Sequence, residues 1–137
     1  MSDAPEHHAV RVLIVDDEFV VRDFVSRTLR QAGYQTETAS DSAVALSIAE
    51  AWTPPDLLVT DLRMPGMNGV SLASALRRQD PRVKVLFLTA YADDLAGPDA
   101  ALAGRQAVLR KPCTITELLH AVSLILFGHI RGPAAPR

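Results

Sequence analysis

Five times along the chain a short apolar, β-rich run is followed by a longer run at helical spacing, and that rhythm leaves few folds open. Val10 to Val15 reads as a buried strand. Val21, Phe24, Val25, Thr28, Leu29 and Ala32 then recur along one face of a helix, and Gly33 can take the left-handed cap that ends it. Tyr34 to Ala39 alternates like a strand exposed on one side. Ala43 to Ala51 reads as a second helix, closed by Pro54 and Pro55. Leu57 to Thr60 is a third strand, ending at Asp61, and the turn "RMPGMNG" leads into a helix over Val70 to Arg78. Val70, Ala73 and Leu76 form the expected inner stripe of that helix. Pro81 breaks it, and Val83 to Leu88 is the fourth strand, ending at Thr89. Gly97-Pro98 interrupts the next segment, where a short helix is expected over 98–102 with Pro98 at its first position. Ala107 to Leu109 is the fifth strand. Thr114 and Glu117 form a capping-box pattern that opens the last helix. Its core stripe reads Ile115, Leu118, Leu119, Val122, Ile125 and Leu126, with Leu124 and Phe127 left outside.

Five β-then-α units imply an α/β domain with a doubly wound parallel sheet and helices on both faces. Periodicity does not fix the strand order. A length of 137 residues suits one domain, expected over 9–128, with a flexible tail at 1–8 and a C-terminal tail or linker start at 129–137. A net charge of −2 argues against a direct nucleic-acid binder that relies on broad phosphate neutralisation. The opening "MSDAPEHHAV" lacks a signal peptide's apolar stretch, and "AVSLILF" is too short to cross a bilayer, so no membrane partner is expected. Cys113 is the one cysteine, which rules out an internal disulfide and fits a reducing cytoplasm. His7 and His8 read as tail residues, and His120 and His129 as solvated ones.

In open parallel sheets the ligand site lies beyond the carboxyl ends of the strands. Strand one ends here in Asp16 and Asp17, strand three in Asp61, strand four in Thr89 and strand five in Lys111. Two carboxylates about 5 Å apart repel by roughly 3 kcal/mol at an effective dielectric near 20. One lysine cannot neutralise three acids, whereas a hard divalent cation such as Mg2+ suits all-oxygen ligands. A carboxylate beside such a cation, a lysine and a hydroxyl is equipped to accept a phosphoryl group. Asp61 is the candidate nucleophile, because it stands alone at a strand end while Asp16 and Asp17 form a pair. Thr89 is placed to hydrogen-bond the phosphoryl group once transferred. Glu18 reads instead as part of an acidic helix N-terminus.

The pieces "VDDE" (Val15 to Glu18), "TDLRMPGMNG" (Thr60 to Gly69), "LTAYAD" (Leu88 to Asp93) and "RKP" (Arg110 to Pro112) match, in order and spacing, the receiver domains of two-component response regulators. The chain resembles that family, stand-alone receivers included, over about residues 9 to 127. The resemblance implies a flavodoxin-like fold with strand order 2-1-3-4-5. It also implies that Asp61 takes phosphate from a phosphohistidine on a histidine kinase or histidine phosphotransfer protein. Asp17 and Asp61 would ligate Mg2+ directly, Asp16 would support it through water, and the backbone carbonyl of Arg63 would complete the protein ligands. Thr89 and Lys111 would sense the phosphoryl group, and Lys111-Pro112 would be cis. The output would be a change in partner binding, with no released product, through the face of the fourth helix, fifth strand and fifth helix, a homodimer being one form of it.

Three positions depart from the family pattern. The aromatic residue usual three places before the lysine is Val108 here, and Tyr91 is the candidate to take over part of its readout. Gly97-Pro98 should shorten the fourth helix. Cys113 stands where the family often has Phe, and reads as a small buried thiol. Two rival functions frame the choice. A Mg2+-dependent phosphohydrolase with an aspartyl intermediate wants a second carboxylate two residues after the nucleophile, where this chain has Arg63. A non-phosphorylated pseudo-receiver would not need the whole set Asp16, Asp17, Asp61, Thr89 and Lys111.

Overall fold

The apolar runs form the inner strands of one sheet, and the helical stripes cover its two faces. Residues 10–52, 54–92 and 106–129 are described by the computed structural model. They comprise β1 (Arg11–Val15), α1 (Phe19–Gln31), β2 (Gln35–Ala39), α2 (Ser42–Trp52), β3 (Leu57–Thr60), α3 (Gly69–Gln79), β4 (Lys84–Thr89), β5 (Gln106–Arg110) and α4 (Ile115–Phe127). The sheet runs β2-β1-β3-β4-β5, and every pairing is parallel. The winding direction switches between β1 and β3, which opens a crevice at the carboxyl ends of those strands.

Alternation along the strands divides the core into two layers. Leu13, Val15, Leu58 and Phe87 pack on one face with Ala45 and Ala49 of α2 and Leu72 and Leu76 of α3. Val12, Ile14, Val59 and Leu86 pack on the other with Val25 and Leu29 of α1 and Leu118 and Val122 of α4. Strands β1 and β3 are thus buried on both sides and carry continuous apolar runs. Strand β2 is an edge, and its exposed Gln35, Glu37 and Thr38 show it.

Helix ends follow their local chemistry. Gly33 takes a positive φ after α1, and Gly128 does the same after α4. Thr114 and Glu117 make the expected reciprocal capping box, and the Asn68 side chain caps α3 by accepting from the Ser71 N–H. Lys111-Pro112 is cis.

Four side chains sit elsewhere than the periodicity suggested. Val70 is 44% exposed, and the inner stripe of α3 is Gly69, Leu72, Ala73 and Leu76. Gly69 packs directly against the Asp61 carbonyl, which sets that residue inward and turns its neighbour Val70, about 100° round the helix, toward solvent. Ile115 is 57% exposed at the first position of α4, and burial along that helix starts at Leu118. Phe127 is half-buried, since it lies four residues beyond buried Ser123 on the same side of the helix. Ala32 is exposed and serves as the C-cap of α1. Leu124 is exposed as expected, as are His120 and His129. The helix expected over 98–102, the tail at 1–8, and the C-terminal tail beyond His129 lie outside the described residues. No helix among the described residues is long and apolar enough to cross a membrane.

Candidate functional site

The parallel ladder continues one residue past the strands, and that extension builds the site. The Asp16 N–H donates to the Ala39 carbonyl at 3.2 Å, the Asp61 N–H to the Val15 carbonyl at 3.2 Å, and the Lys111 N–H to the Thr89 carbonyl at 2.9 Å. Each functional residue is therefore pinned by its backbone to the last residue of a neighbouring strand. Residues far apart in the chain share one rim for this reason.

Lys111 is the centre of the cluster. Its Nζ lies 2.8 Å from Asp16 Oδ2, 2.8 Å from Asp61 Oδ2 and 3.2 Å from Glu18 Oε1. Asp16 and Asp61 are 2% and 6% exposed, so both carboxylates are held almost out of water. Burial alone would lower the Lys111 pKa, but hydrogen bonds to Asp16 and Asp61 outweigh it and raise the net value. Burial raises the Asp16 pKa, and the bonds from Lys111 and the Glu18 N–H only partly oppose it. The ammonium stays charged, and the acids around it are incompletely neutralised.

Backbone donors orient the carboxylates. The Glu18 N–H donates to Asp16 Oδ1 at 2.9 Å, and Arg22 Nη1 donates to the Asp16 carbonyl at 2.7 Å. The Leu62 N–H donates to Asp61 Oδ1 at 2.6 Å, with the Arg63 N–H at 3.4 Å from the same oxygen. Asp17 is exposed at the rim and takes no part in the bonds to Lys111. Glu18 stands at the N-cap position of α1 but makes no side-chain cap; its carboxylate reaches Lys111 instead. Sequence spacing missed that partner because an acid at a helix start already has a sufficient explanation.

Thr89 is fully buried, and its Oγ1 accepts from the Tyr91 N–H at 2.9 Å. Tyr91 is 43% exposed, and the Arg63 guanidinium lies 3.7 Å from the centre of its ring. The segments after β3 and β4 thus touch each other beyond the sheet. Val108 is partly buried against the α2–α3 layer, on the strand beside Phe87. Cys113 is half-buried against the other layer, and burial raises its thiol pKa.

Among the described residues, no three His, Cys, Asp or Glu side chains are drawn together as a ready-made metal group. The donor chemistry still suits a hard cation. One ammonium faces Asp16, Glu18 and Asp61, Asp17 adds a fourth carboxylate at the rim, and every candidate donor is oxygen.

A model of the response regulator receiver domain matches residues 12–123. The transcriptional regulatory protein PrrA of Mycobacterium leprae is 40% identical over 119 residues, which cover 85% of this chain and 49% of that protein. The chain therefore spans about half the length of the transcriptional regulators it matches. Sporulation initiation phosphotransferase F of Bacillus subtilis is 30% identical over 116 residues, 85% of this chain and 93% of that protein. Among solved structures, the chemotaxis protein CheY4 of Vibrio cholerae superposes with a TM-score of 0.75 at 31% identity, covering 87% of this chain and 100% of that one. A match that begins in β1 and ends in α4 takes in every strand of the sheet, and the chain therefore belongs to the response regulator receiver domain family.

Proposed function

We propose that Asp61 accepts a phosphoryl group from a phosphohistidine on a histidine kinase or histidine phosphotransfer protein, and that the transfer switches binding to a downstream partner. The observation that carries this reading is the triangle of Asp16, Lys111 and Asp61, with both Lys111 contacts at 2.8 Å. An Asp61 carboxylate oxygen attacks phosphorus, the phosphorus–nitrogen bond breaks, and the donor imidazole leaves with the electron pair. Lys111 then balances charge on the transferred oxygens. The Thr89 hydroxyl turns from the Tyr91 N–H to donate to one of them.

Asp16, Asp17, Asp61 and the carbonyl of Arg63 are the residues that would hold Mg2+. When bound, the ion supplies neutralisation of the charge gathered around the phosphoryl group. The chain does this in the cytoplasm, as a switch whose chemistry is limited to its own phosphorylation and dephosphorylation. Exposed Leu124 on α4 supports an output surface along β5 and α4, for another protein or a second copy.

Acetyl phosphate and MgCl2 followed by intact-mass measurement test the acceptor role. Wild type is expected to gain one phosphoryl group and Asp61→Asn none. A wild type without mass gain, or a gain in Asp61→Asn equal to wild type, overturns the reading.

A further inference from the structure

We infer that Thr60 is a positioning residue for Asp61, acting through the peptide bond that joins Asp61 to Leu62; the inference rests on Asp61 being the phosphoacceptor. Strand β3 reads Leu57, Leu58, Val59, Thr60, and all four residues are buried. Valine would fill the last position with the same shape and no polar group. A hydroxyl that is 1% exposed needs a partner to offset its desolvation.

The partner is the Asp61 carbonyl, 2.9 Å from Thr60 Oγ1. Met64 Sδ lies 3.8 Å away on the same hydroxyl, but a threonine has one proton to give and a thioether is the weaker acceptor. The carbonyl therefore receives it. The Asp61 carbonyl and the Leu62 N–H belong to one planar peptide unit, so a donor that fixes the first fixes the direction of the second. That N–H is the one held on Asp61 Oδ1 at 2.6 Å, while Oδ2 meets Lys111. The Thr60 hydroxyl thus sets the carboxylate plane at one remove.

Gly69 closes the other side. A Cβ at this position would run into the Asp61 carbonyl, and it would also crowd the Thr60 methyl group. The Gly69 N–H also donates to the Leu62 carbonyl at 2.9 Å, which ties the next peptide to the start of α3. The carbonyl is wedged between a hydroxyl and a glycine backbone. In-line attack tolerates little angular error, so a carboxylate released from this wedge should react more slowly.

Thr60→Val and Thr60→Ser separate positioning from packing. Phosphorylation rates with acetyl phosphate and with phosphoramidate, in saturating MgCl2, are measured beside thermal melts of each variant. Thr60→Val, which keeps the side-chain volume but leaves the Asp61 carbonyl without its donor, is expected to melt no lower than Thr60→Ser and to lose about tenfold in rate with both donors, equivalent to about 1.4 kcal/mol of barrier. Thr60→Ser is expected to melt lower, having lost a buried methyl, yet to phosphorylate within about twofold of wild type. The two orders therefore cross. Rates that follow Tm, with Thr60→Val at wild-type rate, overturn the inference while leaving Asp61 as acceptor. If Thr60→Val does not fold, Thr60→Ala against Thr60→Ser carries the comparison, and equal rates for those two overturn it. A wild type that takes up no phosphoryl group sinks this inference together with the reading beneath it.

Discussion

At the residue scale, Lys111 holds two buried acids that have no other cation within bonding distance among the described contacts. Replacing it by methionine keeps the stem and removes the charge, leaving Asp16 and Asp61 buried and unpaired. Breaking a buried pair in this way costs about 3 kcal/mol. Lys111→Met is expected to show that loss in urea melts at pH 8, and MgCl2 should restore more stability to the variant than to wild type. Equal melts with and without MgCl2 would contradict the cluster's need for added positive charge. Asp16 predicts the opposite sign. Burial holds its folded pKa above the ordinary aspartate value of 3.8, so the native state holds that proton more tightly than the unfolded chain. Well below pH 3.8 both states are protonated and the group contributes nothing; as pH rises through that value and then the folded pKa, ionisation costs stability. In EDTA, Asp16→Asn should therefore raise the Tm by a few degrees at pH 7 and flatten the fall in stability from pH 4 upward. A lower Tm for Asp16→Asn at pH 7 would show that the Lys111 contact outweighs burial.

At the element scale, the connection from β3 to α3 carries the most constraint. It holds the phosphoacceptor candidate, the Asn68 cap and Gly69 within nine positions of sequence from Asp61 to Gly69. Gly69→Ala must push the Asp61 carbonyl or shift the start of α3. Overpacking of this kind costs about 1–3 kcal/mol, and chemical denaturation should show it with phosphoryl uptake slowed as well. Unchanged stability and rate would mean the helix start is free to move. The turn and the helix were legible from "MPGMNG" and the spacing of apolar residues. The face of α3 was not, because periodicity assigned Val70 inward by hydrophobicity alone. Contact between Gly69 and the Asp61 carbonyl decides that face, and no local pattern encodes a contact across eight residues. Ile115 was misassigned for a related reason: a stripe carries no information on which turn of a helix burial starts in.

At the scale of the whole molecule, the five β-then-α units specified a doubly wound sheet, and resemblance supplied the order β2-β1-β3-β4-β5 that the sheet adopts. Strand ends alone placed Asp16, Asp61, Thr89 and Lys111 on one rim, since parallel strands bring every carboxyl end to the same side. Glu18 was passed over because an acid at a helix start already has a sufficient explanation, and nothing in the strand-end pattern points its side chain at Lys111. The coupling across the site is also a property of the whole. Tyr91 joins Thr89 by its N–H and Arg63 by its ring, linking the ends of β3 and β4. Phosphorylation is expected to change amide exchange along β5 in wild type, and Tyr91→Ala, which loses the ring contact to Arg63 but keeps the N–H bond to Thr89, should weaken that change while still accepting phosphate. An identical exchange response in the variant would remove Tyr91 from the readout. In the proposed function, folding gathers distant acids around one lysine so that a single carboxylate accepts phosphate. Borohydride reduction after acetyl phosphate treatment, with peptide sequencing by mass spectrometry, tests it most directly, because it converts an aspartyl phosphate to homoserine where it stands. Homoserine at position 61 and at neither 16 nor 17 is the expected result; homoserine at another position, or none at all, would remove Asp61 as the acceptor.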